Sequence, residues 1–288
     1  MTSPATSSGL AAILLWSTLA SLTAAVPEIP PFELAAFSFA IAALVGVGYS
    51  VATGTSLTVL ATVPPGAWAL GVYGLLGYHV CYFYAFRNAP PVEVNLVNYL
   101  WPLLIVVLSG FLPAALGGRR LAWTHIAGAL LGLCGTALVL AGGDGRLDLS
   151  GHVSGYFAAL AAAVIWSTYS VASRLYAGVP SVAVTGTCAL TALGAAAGHL
   201  AFEQTIWPAD AMAWLLVLLQ GFGPVGLAFY LWDDGMKHGN IRLIGVLSYA
   251  TPLLSTLLLA VLGLGRPSPL LWLAALLVTA GAVLAGRK

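Results

Sequence analysis

The chain has 288 residues, 60% hydrophobic and only 7% charged, with a net charge of +1 and a mean hydropathy of +0.97. A soluble domain carries about 25% charged residues, so this composition excludes a water-facing surface, and with no basic run it excludes a nucleic-acid partner. The lipid bilayer is the solvent that fits.

Polar and Pro/Gly-rich breaks divide the chain into ten apolar segments, at about residues 9–26, 32–52, 65–86, 91–113, 121–141, 152–174, 181–201, 211–232, 240–263 and 269–286. A spanning helix takes about 20 mostly apolar residues, whereas a barrel strand takes about 10 of alternating polarity. These segments are long and apolar all round, so the expected fold is an all-α integral membrane protein of ten transmembrane helices. No Lys or Arg precedes Arg87. The first segment therefore lacks the basic leader of a secretory signal and reads as a helix. Short connections favour helices packed side by side.

Topology follows from basic residues, which favour the cytoplasmic side. With ten spans both termini share one side. Arg119, Arg120, Arg174, Lys237, Arg242, Arg287 and Lys288 fall there, against Arg87, Arg146 and Arg266 on the other. Both termini are expected to be cytoplasmic.

The chain repeats itself at a shift of 150 residues. Trp16-Ser17-Thr18 recurs as Trp166-Ser167-Thr168, and Tyr99 with Pro102-Leu103-Leu104 recurs as Tyr249 with Pro252-Leu253-Leu254. Pro30 matches Pro180, and Arg87 matches Lys237. The expected organisation is one membrane domain of two five-helix repeats, residues 1–141 and 152–288, joined by a loop at 142–151. An odd number of spans turns the second copy upside down. Inverted repeats let a central site open to either side in turn, so transport is the favoured function.

Polar side chains in hydrocarbon are costly unless paired, so they mark the interior of the bundle. On the fourth segment Asn95, Asn98, Tyr99 and Pro102 fall at i, i+3, i+4 and i+7 and share one face. Ser248, Tyr249 and Pro252 occupy the matching places on the ninth. The prolines remove a backbone hydrogen bond where a gate would bend, which makes Pro102 and Pro252 candidate hinges. On the third, Tyr78 and Tyr82 are one turn apart with His79 beside them. A histidine at this depth reads as a substrate contact or proton carrier, or as a neutral packing residue. Trp16 and Trp166 lie mid-helix, away from the interfacial belt, and read as opposite walls of a cavity, with Trp101 a third candidate. Glu33 and Glu93, near helix starts that follow prolines, read as caps. The Gly128/Gly132 and Gly194/Gly198 pairs read as close helix contacts.

Cys81, Cys134 and Cys188 are odd in number, form no CxxC pair and read as buried free thiols. No P-loop, HExxH motif or paired midplane carboxylates are present, so no cofactor, no metal and no enzymatic role are expected. The expected partners are small-molecule amino acids and lipid. Oligomeric state is left open, a monomer being sufficient.

The Trp-Ser-Thr of the first and sixth segments and the Tyr-x-x-Pro of the fourth and ninth resemble the EamA-type drug/metabolite transporter superfamily over essentially the whole chain. Tyr78-His79-x-x-Tyr82 and Asn95-Leu96-Val97-Asn98-Tyr99-Leu100-Trp101-Pro102 resemble the members that export aromatic amino acids. That resemblance implies export of phenylalanine, tyrosine and tryptophan from a bacterial inner membrane. The alternatives are a multidrug or cation/proton antiporter of the same fold and a non-transport membrane scaffold. The antiporter would be expected to carry a membrane-embedded carboxylate.

Overall fold

The computed structural model describes residues 4–109, 111, 123–140, 151–176, 178–238, 251–265 and 268–285. Ser248 and Tyr249 lie outside the described residues, as do Arg119, Arg120, Arg146 and Arg242. Among those described, the structure is helical with no strand.

Proline sets several helix starts. Pro30-Pro31, Pro64-Pro65 and Pro90-Pro91 open α2 (Pro31–Thr53), α3 (Pro65–Val72) and α5 (Pro91–Asn98). The second proline of each pair stands in the first turn, where its missing N–H costs nothing and its fixed φ suits the helix. The first proline is extended, which separates the new helix from the chain before it. At the other end of α2, Gly54 adopts a left-handed φ of 66° and closes the helix. Asp210 accepts the Ala213 N–H at 2.8 Å and starts α10 (Ala211–Phe222).

The remaining helices are α1 (Pro4–Ala24), α4 (Tyr78–Asn88), α6 (Trp101–Ser109), α7 (Trp123–Leu140), α8 (Val153–Ala172), α9 (Ala183–Phe202), α11 (Ala228–His238), α12 (Thr251–Val261) and α13 (Pro269–Ala285). A π turn at Tyr73–Gly77 joins α3 to α4, and another at Gly223–Leu227 joins α10 to α11. Counting each joined pair as one, six helices among the described residues are long and apolar enough to cross a membrane. They expose large apolar side chains such as Leu44, Phe157, Leu193 and Leu218 on their outer faces. The chain is a multi-pass membrane protein.

Irregularities recur at one spacing. From Tyr73 to Gly223, from Tyr78 to Ala228 and from Trp101 to Thr251 the step is 150 residues, so both π turns and both helix starts beside Pro102 and Pro252 obey it. Packing obeys it too. The pairs α1 with α11 and α8 with α4 map onto each other when the halves are exchanged, as do α1 with α12 and α8 with α6. The pairs α2 with α9 and α7 with α13 run between corresponding helices. Glycine allows the close approaches: a Cβ on Gly281 would strike the backbone at Gly128 and Gly132, and one on Gly198 the ring of Phe32.

Two sequence expectations need correction. Glu33 does stand in the first turn of α2, but Glu203 supplies the acceptor for the N–H groups of Phe32 and Glu33, at 3.0 and 3.1 Å. The Glu33 carboxylate reaches instead to the N–H of Ile206, at 2.9 Å. Glu203, just past the end of α9, thus caps α2, and Glu33 ties down the loop that follows α9. All three cysteines are free, yet only Cys188 is buried; Cys134 is exposed on an outer face.

Candidate functional site

The helices converge on a small cavity of about 40 Å³. Trp16 comes from α1, Trp166 from α8, the Tyr78-His79-x-x-Tyr82 turn from α4, and Asn98, Tyr99 and Trp101 from the break between α5 and α6. In the two Trp-Ser-Thr turns only the tryptophan reaches the cavity. The hydroxyls of Ser17, Thr18, Ser167 and Thr168 donate to carbonyls three or four residues back in their own helices, which satisfies them within the turn.

The rings form a continuous wall. Trp16 meets Trp166 edge-on with centroids 6.2 Å apart, and Tyr78 lies 5.3 Å from Trp166 and stacks on Tyr82 at 5.5 Å. The Trp16 indole N–H donates to the carbonyl of Pro224, 3.1 Å away in the second π turn. His79 is buried at the cavity wall, with its Nδ1 2.8 Å from the carbonyl of Leu75 in the first π turn. Asn98 donates its Nδ2 to the Tyr78 hydroxyl at 3.1 Å.

Eight of the eleven expected contact residues therefore line one space. Asn95 does not; it is fully buried and donates to the Ser255 hydroxyl at 3.1 Å, joining α5 to α12. Ser248 and Tyr249 fall outside the described residues. The lining also includes Leu19, Phe229 and Thr251. Leu19 lies one turn beyond Trp16. Phe229 and Thr251 stand 150 residues after His79 and Trp101, so the internal repeat could have found both. Their side chains differ from those of their counterparts, and matching by identity passed over them.

The EamA-like transporter family matches this chain twice, at residues 5–141 and 153–287. The chain belongs to that family. It is 51% identical over 284 residues to a protein of Ancylobacter novellus named aromatic amino acid exporter YddG, covering 98% of this chain and 97% of that one. A protein of the same name from Escherichia coli is 30% identical over 294 residues, covering 97% and 96%. A crystal structure with 50% sequence identity superposes with a TM-score of 0.78 over 99% of this chain and 98% of its own. An EamA-like chain is a transporter, not an enzyme.

Proposed function

We propose that this chain exports aromatic amino acids (phenylalanine, tyrosine and tryptophan) across a bacterial inner membrane by alternating access. The proposal includes ten spanning helices in two inverted repeats, residues 1–141 and 152–288 linked by 142–151, with both termini cytoplasmic. The observation that carries it is the lining of the cavity: Trp16 with Trp166, His79 with Phe229, and Trp101 with Thr251 are pairs at the repeat spacing, all facing one space. A cavity built from corresponding positions of two halves can exchange its openings when the halves exchange conformations. Its aromatic walls suit a flat apolar side chain, and the names carried by the relatives point to the same solutes.

Trp16, Tyr78, His79, Tyr82, Asn98, Tyr99, Trp101 and Trp166 are assigned to substrate contact. Asn95 is assigned to holding the α5–α6 break in place, Ser248 and Tyr249 to the second half of the site, and Pro102 and Pro252 to the bend. A proton-coupled cation antiporter is less well supported, since no carboxylate is present among the described lining residues.

The test is counterflow of labelled phenylalanine in proteoliposomes containing only this protein, competed with tryptophan, threonine and a cationic dye. Competition by tryptophan above threonine supports the reading; flux of the dye alone overturns it. His79→Ala removes one hydrogen bond to a charged ligand and should lower flux by about tenfold or more while the protein stays folded. Unchanged flux would sink the role given to His79.

A further inference from the structure

Two of the polar atoms left free around the cavity are hydrogen-bond acceptors. His79 Nδ1 faces the Leu75 carbonyl, which can only accept, so Nδ1 carries the proton. Rings of Phe39, Tyr78, Phe83 and Phe229 surround the imidazole, and such surroundings keep it neutral. Nε2 is then an acceptor, and among the described residues it has no hydrogen-bond partner. The first π turn, which places Leu75 beneath the ring, fixes this tautomer. Asn98 spends its Nδ2 on Tyr78, and its carbonyl oxygen is buried with no partner. An orphaned acceptor at a cavity wall is a place for a ligand's donor.

Positive charge is absent from the same wall among the described residues, and the donors there, the Trp166 indole N–H and the Tyr78 and Tyr82 hydroxyls, are neutral. The Trp16 N–H is committed to Pro224. No Arg or Lys stands among the described lining residues, so no fixed cation there pairs with a carboxylate. The faces of Trp16, Trp166 and Tyr78 favour a cation.

We propose that the ammonium group is the recognised end of the solute and that its carboxylate is dispensable. On this basis aromatic primary amines without a carboxylate are a further ligand class for the same cavity, while aromatic acids without an ammonium are not. The proposal rests on the cavity being the substrate site. A primary ammonium has three N–H donors, enough to meet His79 Nε2 and the Asn98 oxygen together.

The experiment is a titration of the purified full-length protein, read by intrinsic tryptophan fluorescence, with phenylalanine, phenethylamine and phenylpropanoate. Phenethylamine should bind within a few-fold of phenylalanine, and phenylpropanoate about tenfold more weakly or worse. His79→Phe, which keeps a ring but removes the acceptor, should weaken phenethylamine about tenfold and leave phenylpropanoate unchanged. Phenylpropanoate binding as well as phenethylamine overturns the proposal, and so does silence from all three compounds. If His79→Phe fails to fold, the wild-type ranking decides alone. Phenylalanine counterflow, run beside the titration, separates the two claims. Its absence overturns the export reading, while the binding order still decides which end is recognised.

Discussion

The long contact between α2 and α9 ends in two different ways. At the start of α2, Glu203 holds two backbone N–H groups, Glu33 holds a third, and His199 bonds to Glu203 at 3.0 Å and to Thr205 at 2.9 Å. At the far end of α2, Tyr49 stacks on Tyr230 with centroids 4.9 Å apart, and one neutral hydrogen bond of 3.0 Å joins Tyr230 to Thr185. His199 and Tyr49 are 150 residues apart, so one repeat position carries a charge-assisted tie at one end and a stacked ring at the other. Charge-assisted bonds are about twice as strong as neutral ones. The scaffold is duplicated, but its two ends are not held equally. Under alternating access the aromatic end should part with less work.

The widest separation between the two ends should come from Glu203→Ala. That change leaves two part-buried N–H groups without their acceptor and removes one of the two bonds of His199, at about 2–4 kcal/mol. Thermal unfolding of the purified protein reads it. A loss under about 1 kcal/mol would show that the tied end is no stronger than the stacked one.

A middling effect is expected at the stacked end. Gly46 sits where a Cβ would run into the Tyr230 hydroxyl and the Thr185 side chain. Overpacking of this kind costs about 1–3 kcal/mol, so Gly46→Ala should lower the unfolding temperature. Adding Tyr230→Phe removes the hydroxyl that the methyl meets and should return part of the loss. A double variant no better than the sum of its parts would place the strain elsewhere.

How much of this could be read beforehand depends on whether the cause is local. Trp16 and Trp166 were identifiable because identical tripeptides at one spacing mark corresponding positions. That Asn98 and Tyr99 share an interior face followed from helix periodicity. The π turns were hidden, since Tyr73-Gly74-Leu75-Leu76-Gly77 is as apolar as an ordinary helical turn and an inserted residue leaves no mark on composition. Without them neither the His79 tautomer nor the Trp16 bond to Pro224 can be inferred. The partner of Glu33 was hidden for another reason: Ile206 is 173 residues away in the chain, and capping rules see only neighbours. Asn95 shares a face with Asn98, yet α12 lies against it and takes its hydrogen bond. Only the tertiary arrangement decides that.

The smallest effect sharpens the comparison at the cavity itself. Trp16 and Trp166 are corresponding residues, and the carbonyls at Pro224 and Gly74 correspond in the two π turns. Trp16 makes its hydrogen bond to Pro224. Around Gly74 the place is taken by the ring of Tyr169, which leaves no room for a Cβ there, and Trp166 packs on Tyr78, Tyr169 and Phe229 instead. Trp16→Phe and Trp166→Phe each lose a similar amount of ring, but only the first gives up a hydrogen bond among the described residues. Subtracting the two stability changes should leave about 1 kcal/mol against Trp16→Phe. If the two variants lose the same stability, the Pro224 bond contributes nothing net, and the asymmetry between the halves lies in packing alone. If the difference is present, the matching bond from Trp166 to the Gly74 carbonyl becomes the one the opposite-facing state would form. Trp166→Phe would then slow turnover while costing the present state less stability than Trp16→Phe does.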